Sequence, residues 1–204
     1  PCMVSIYELK SRFQGILRPT TRFLARMGIT ANQVTVFAAL LSIATGVCIF
    51  LWPEKQWPLL LVPAMLFLRM ALNAIDGMLA REHDMKSNLG AILNELGDVI
   101  SDAALYLPLA VVEGFDTSIV VIIVLLAVIS EMTGVISIQI GASRRYDGPM
   151  GKSDRAFVFG LICLLIGLEI KSEAWLSYAL YFILALLVLT IFNRSRRALS
   201  EIAQ

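Results

Sequence analysis

Apolar residues run in six blocks separated by short polar connections: Asn32 to Trp52, Trp57 to Arg81, Leu89 to Val112, Thr117 to Ala142, Ser153 to Ile170 and Ala174 to Phe192. None shows the alternation of a strand, so the pattern predicts helices. A hydrocarbon layer about 30 Å thick takes about 20 residues of helix. In lipid the backbone must also satisfy its own hydrogen bonds, which helices do. The fifth block is the weakest, because only Ala156 to Leu168 is strongly apolar. Ahead of the blocks, Ile6, Leu9, Phe13, Ile16 or Leu17, Leu24 and Met27 recur at helical spacing, with Lys10, Arg12, Arg18, Arg22 and Arg26 among them. That pattern suits an amphipathic helix lying in the interface of an anionic leaflet, kinked or divided at Pro19. A solvated basic tail is the alternative. The expected fold is all-α and integral to a membrane: an interfacial helix within residues 1–28, then six transmembrane helices within 29–204. Pro1 and Cys2, preceding Met3, read as a cloning remnant.

Composition agrees. Hydrophobic residues make up 58% and charged residues 16% of the 204, and the mean hydropathy is +0.77. Soluble domains carry about 45–50% apolar and about 25% charged residues, so a disordered chain, a disulfide-rich module and most soluble enzymes are excluded. Cys2, Cys48 and Cys163 have no metal-type spacing, and the last two read as small buried apolar residues. Fourteen of the seventeen Lys and Arg fall before span 1, in the connections between spans 2 and 3 and spans 4 and 5, or after span 6. The positive-inside rule then puts both termini in the cytoplasm, which agrees with an even number of spans, since that keeps the termini on one side.

Ionisable and amide groups inside apolar spans carry the chemistry. They are Arg69, Asn73 and Asp76 in span 2, Asn94, Glu95, Asp98 and Asp102 in span 3, and Glu131 in span 4. A charge near a helix centre costs roughly 2.5–3.5 kcal/mol on insertion scales, so several on consecutive helices imply a polar, water-accessible interior. Positions 69, 73 and 76 share one face of span 2; positions 94, 98 and 102 share one face of span 3. Their oxygens suit a hard cation, Mg²⁺ or Mn²⁺. Asp76 and Asp98, the amides of Asn73 and Asn94 and a diphosphate substrate would complete its shell. An interhelical hydrogen-bond network is the structural alternative. Gly77, Ala80, Gly90, Ala91 and Gly97 lie beside these residues and permit close approach of a ligand or of another backbone.

The run Asn73-Ala-Ile-Asp76-Gly77-Met-Leu-Ala80-Arg81, followed after eight residues by Gly90, Asn94 and Asp98 at four-residue steps, resembles the signature of the CDP-alcohol phosphotransferase family. The family pattern is Asp-x-x-Asp-Gly-x-x-Ala-Arg, eight or nine residues, then Gly-x-x-x-Asp-x-x-x-Asp. The stretch Ile29-Thr-Ala-Asn32-Gln-Val-Thr35 before span 1 is also similar to the family's. The resemblance implies a bacterial cell-membrane enzyme of phospholipid biosynthesis, with its active site cytoplasmic. It would move a phosphatidyl-type group from a CDP-linked donor, such as CDP-diacylglycerol, to an alcohol and release CMP. It further implies a homodimer, one or two Mg²⁺ or Mn²⁺ ions, and no nucleic-acid partner. Asp98 would be the general base, with Asn73, Asp76 and Asn94 joining it as metal ligands. Asn32, Thr35, Gly77, Ala80, Arg81 and Gly90 would shape the CDP pocket. The first and third family aspartates are Asn73 and Asn94 here, and an amide bridges two metals poorly. Asp102 and Glu95 are extra acids nearby, Asp102 the candidate substitute. Three readings follow: a one-metal enzyme, a two-metal enzyme with substituted ligands, or a member that binds nucleotide as a membrane binding or scaffold protein without turnover.

A second basic set, Arg144, Arg145, Lys152, Arg155 and Arg194, gathers on the expected cytoplasmic side. In family members that use phosphorylated alcohols, basic residues at such places hold the acceptor phosphate; positive-inside contact with headgroups is the alternative. Arg69 and Glu131 are expected to pair across spans 2 and 4. His83 is the single histidine, which excludes a zinc–histidine site. A transporter is disfavoured, since no inverted repeat or broken helix is apparent. The topology is directly testable. A fluorescent protein that folds only in the cytoplasm should shine at either terminus, and alkaline phosphatase should be inactive at both; the reverse at one end refutes an even span count.

Overall fold

The structure is a computed structural model that describes residues 6–170 and 173–203, with side chains described for 13–170 and 175–203. Pro1, Cys2 and Lys171 lie outside the described residues, as do the side chains of Ile6, Leu9, Lys10 and Arg12. Among the described residues seven α-helices follow one another: α1 (Ile6–Arg26), α2 (Ala31–Leu51), α3 (Trp57–Glu82), α4 (Asn88–Tyr106), α5 (Thr117–Gln139), α6 (Lys152–Gly167) and α7 (Glu173–Ile202), with a 3₁₀ segment at Leu107–Val111. Four of them, α2, α3, α5 and α7, are long and apolar enough to cross a membrane. By that measure α4 and α6 do not join them, since α4 carries Glu95, Asp98 and Asp102 and α6 has only 16 residues.

The helices start within one residue of the apolar blocks, but four ends differ, α6 stopping at Gly167 rather than Ile170. α4 stops at Tyr106 rather than near Val112 because Pro108 has no N–H to donate to Ala104 four residues back. α5 stops at Gln139, ahead of Gly141 at φ +90°. α7 runs ten residues past Phe192, through Arg194, Arg196 and Arg197. Pro19 lies within α1, which is not divided there.

The chain forms two compact units, to which α2, α3 and α4 each contribute residues. The first comprises the chain up to Ser42 together with Phe67–Ser101. Its apolar centre is Ala31, Val34, Ile75, Met78 and Leu79, covered by Leu17, Leu24, Ala25 and Ile29 from the N-terminal side. An edge-on ring contact from Phe13 to Phe67 and a 3.0 Å ion pair from Arg18 to Glu82 hold α1 along α3. Leu17, Thr21 and Leu24 thus form the packed face of α1, while Ile16, Phe23 and Met27 form an exposed apolar stripe on another.

The second unit comprises Ile43–Leu66 and the chain from Asp102 onward. α5 packs along α7, Tyr106 stacks on Phe159 at 4.3 Å between ring centroids, and α6 sets Gly160 and Gly167 against Leu66, Pro63 and Leu60 of α3. Asp116 caps α5 by accepting from the Ile119 N–H, and Asp154 accepts from the Gly151 N–H at the start of α6. Cys163 is buried and Cys48 partly so, both unpaired by disulfide. The tightest approach is Gly46 of α2 against the Ala104 carbonyl, the one Pro108 leaves without its helical partner.

A methyl group at Gly46 would collide with that carbonyl, a backbone atom that cannot rotate away. Gly46→Ala is expected to destabilise the protein by about 1–3 kcal/mol, whereas Gly15→Ala, with nothing within 4 Å, should be neutral or gain up to about 1 kcal/mol. Thermal unfolding in detergent micelles checks both; equal melting temperatures for the two variants would refute the close approach.

Candidate functional site

In the first unit the signature residues of α3 and α4 meet, with α2 as the third wall. Asn73 donates from Nδ2 to Asp98 Oδ1 at 3.3 Å. Arg69, one turn earlier and only 3% exposed, donates to the Asp98 carbonyl at 3.1 Å and lies 3.6 Å from its carboxylate. Thr35 of α2 donates to Asp76 Oδ2 at 2.7 Å, and its methyl group lies beside Gly97 of α4. Four-residue steps along both helices put these groups on facing stripes.

Below them, Ser87 caps α4 by accepting from the Gly90 N–H at 2.9 Å, and Asn32 of α2 donates to the same hydroxyl. A Cβ at Gly90 would stand 2.7 Å from Asn32 Oδ1, so glycine is what admits the α2 side chain. Arg81 is exposed and folds back over Gly77. Ala80 packs on the Ile75, Met78 and Leu79 centre. Asn94, one turn before Asp98, is exposed. Sequence reasoning missed Ser87 as a component; a serine just before an apolar helical run was the available signal.

The donor set bears on the cation that the sequence implies. It offers two carboxylates, Asp76 and Asp98, and two amides, Asn73 and Asn94. Among the described residues no three His, Cys, Asp or Glu side chains converge as metal ligands. Asp98 already faces a guanidinium and an amide N–H, and Asp76 a hydroxyl. Two carboxylates beside an arginine do not balance a pair of divalent ions. They fit one hard cation at most, with amide oxygens completing its shell.

The second unit holds a separate ionic cluster. Arg155 donates from Nε and Nη2 to Asp102 Oδ2, from Nη2 to Glu131 Oε1, and from Nη1 to the Ser130 hydroxyl and the Met150 carbonyl. Arg194 donates to the Ser130 and Asp147 carbonyls and to Glu131, and Arg144 donates to Glu131 while lying over the Tyr146 ring. The expected Arg69–Glu131 pair is therefore replaced: Arg69 faces Asp98, and Glu131 meets three arginines from elsewhere. Asp102, the candidate substitute acid, is buried and accepts twice from Arg155, which makes it a counter-ion.

Just outside, Asp147 receives Arg145 at 2.8 Å and Arg197 at 2.7 Å, while Ser143 and Arg145 engage Glu201. These bonds fasten the α5–α6 connection onto α7 and explain why that helix continues beyond its apolar stretch. Gly148 at φ +123° packs so closely on Thr190 that only glycine fits. The Met150 N–H donates to the Thr190 hydroxyl.

A helical membrane protein with a carboxylate–amide site shared by three helices and a spaced signature across two of them defines a narrow class. The family description CDP-alcohol phosphatidyltransferase matches residues 28–192, and the chain belongs to that family. The inner membrane protein YnbA of Escherichia coli (strain K12) is 42% identical over 196 residues, covering 96% of this chain and 97% of the relative. Phosphatidylinositol phosphate synthase (PgsA1) of Mycobacterium tuberculosis, solved with CDP-DAG bound, has a TM-score of 0.76 at 21% identity, covering 88% of this chain and 92% of its own. The same synthase in complex with manganese and citrate gives 0.75 at 21%, covering 88% and 87%. These two likenesses are of fold.

Burial pushes the Asp147 carboxyl up, but the Arg145 hydrogen bond and the charges of Arg145 and Arg197 outweigh it and hold the group below its ordinary 3.8. A lowered folded value means that the stabilisation is complete above the ordinary value and fades as pH falls through the folded one. Asp147→Asn should therefore lower the melting temperature at neutral pH, and the gap to the parent should close below about pH 3.8. A gap that is constant down the acid range counts against the pairing.

Proposed function

We propose that this chain transfers a phosphatidyl-type group from a CDP-linked lipid donor to an alcohol and releases CMP, as a multi-pass protein of the bacterial inner membrane with its site on the cytoplasmic side. What supports the reading is the conjunction of the family signature with Asp76 and Asp98 set on facing stripes, each oriented by a neighbour's donor. The synthase solved with CDP-DAG and with manganese lends a precedent for donor and cation. The name of the 42% identical relative agrees with the location. In this reading α4 and α6 complete six spans. α1 rests in the interface, its exposed Ile16, Phe23 and Met27 toward lipid and its basic residues toward headgroups. A homodimer is part of the proposal through family likeness.

Asp98 takes the proton from the acceptor hydroxyl. The alkoxide oxygen bonds to the lipid-bearing phosphorus, the bond from that phosphorus to the bridging oxygen breaks, and the oxygen leaves on CMP. Arg69 and Asn73 fix the carboxylate in place for this, since both donate toward Asp98. Thr35 orients Asp76, and Asn32, Gly77, Arg81 and Gly90 border the nucleotide. Asp76 and Asp98, with the amide oxygens of Asn73 and Asn94, would hold a Mg²⁺ or Mn²⁺ ion, which would supply charge neutralisation on the diphosphate. A second reading, nucleotide binding without turnover, is favoured by one observation: the Asn73 amide N–H satisfies Asp98 in the place where an aspartate would need a cation between the two.

CMP release from CDP-diacylglycerol by the purified chain, over a panel of alcohols, separates the two. Asp98→Asn should cut release by about 10²–10⁴-fold while stabilisation by CDP with Mg²⁺ survives. Turnover unaffected by Asp98→Asn refutes the base. Binding without CMP release from any alcohol, with activity gained on reverting Asn73 and Asn94 to Asp, supports the non-catalytic reading.

A further inference from the structure

We propose that the Arg69 guanidinium takes the place of a second divalent cation at Asp98, so that the first unit accepts no more than one divalent ion and carries the other counter-charge within the chain. The proposal deepens the transfer reading and rests on it only for the presence of a cation; its test counts ions and needs no turnover.

Arg69 and Asn73 stand one turn apart on α3 and address the same atom, Asp98 Oδ1. Arg69 Nη2 lies 3.6 Å from that oxygen, and Asn73 Nδ2 donates to it at 3.3 Å. The Asp98 oxygen that faces α3 is therefore met by a positive charge and an amide N–H. A divalent ion shared between positions 73 and 98 would have to use this oxygen, in competition with a group of like charge. Arginine stays protonated in proteins, so the loss of a proton cannot relieve that repulsion.

The guanidinium is also held in place. Arg69 is only 3% exposed, and its Nη2 donates to the Asp98 carbonyl at 3.1 Å. That acceptor is backbone and stays where it is whatever the carboxylate binds. Turning Arg69 away to admit an ion would break a buried pair, which is strongly unfavourable.

The charges agree with this assignment. With an amide at position 73, Asp98 is the single negative charge of the two facing positions, and one guanidinium matches it. An aspartate at position 73 would add a second negative charge, which one guanidinium does not match. Among the described residues no third acidic or imidazole ligand converges to raise the count again.

The test uses the purified full chain in detergent micelles with Mn²⁺ alone. Bound ions per chain are counted from the electron paramagnetic resonance of free Mn²⁺, and thermal unfolding is compared in Mn²⁺ and in EDTA. The parent and Asn73→Asp should each bind no more than one ion, since Arg69 is present in both. Asn73→Asp combined with Arg69→Gln should bind one ion more than Asn73→Asp, because the paired carboxylates then have no guanidinium beside them. Arg69→Gln alone keeps a donor for the Asp98 carbonyl but loses the charge. Its melting temperature should fall in EDTA and recover in Mn²⁺, whereas Arg69→Lys, which keeps the charge, should melt alike in both. Two ions per chain with Arg69 in place, in the parent or in Asn73→Asp, overturn the proposal. So does a double variant with no additional ion, or a loss in Arg69→Gln that Mn²⁺ does not recover, which marks Arg69 as a packing residue. If the Arg69 variants fail to fold, the counts for the parent and Asn73→Asp still decide. Ion counts as expected with no CMP release from any alcohol refute the transfer reading and leave the proposal standing.

Discussion

Three arginines are buried among the described residues, Arg69, Arg155 and Arg194, and each meets a carboxylate from a different helix. Charge in an apolar interior is tolerable only when paired and hydrogen-bonded, and removing one partner costs about 3–5 kcal/mol. The requirement organises each unit. In the first, Arg69 of α3 meets Asp98 of α4. In the second, Arg155 of α6 joins Asp102 of α4 to Glu131 of α5, and Arg194 brings in α7. Helix packing among apolar side chains is non-directional, whereas a guanidinium fork accepts few orientations. Register between these helices therefore follows the ion pairs.

The same pairing governs what the polar residues can do. A cluster of four aspartates would repel itself without cations. Here Asn73 supplies a donor to Asp98, Arg69 supplies charge, and Thr35 satisfies Asp76. Each of the two carboxylates thus has a donor within the protein itself. The second unit carries the principle further. Its basic residues look available along the sequence, yet Arg155 and Arg194 meet acids at distant positions.

Much of this was legible in residue order. The six apolar blocks coincide with α2 to α7 at their starts, because burial or lipid contact rewards apolar residues at every turn and the pattern records it. The four-residue spacing put Asn73 and Asp98 on facing stripes of neighbouring helices, whereas the bond from Thr35 to Asp76 was not in the pattern. Helix ends were less legible. Pro108 interrupts α4 within an apolar run, and α7 persists past Phe192 because its Arg197 donates to Asp147 and its Glu201 accepts from Arg145 and Ser143 of the flanking connection, contacts that periodicity does not encode. Ser87 was overlooked because a capping hydroxyl becomes visible only once the helix start is fixed.

Sequence by itself determined the helical class and the family, and which polar residues of α3 and of α4 share a face, since each depends on local composition or on spacing along one helix. Only the tertiary structure decided the partners. Arg69 turned to Asp98 rather than Glu131, and Asp102 became the counter-ion of Arg155, 53 residues away. The physical reason is that a charge chooses among every opposite charge within a few ångströms, and that neighbourhood is assembled by packing between helices, which no single stretch of sequence contains.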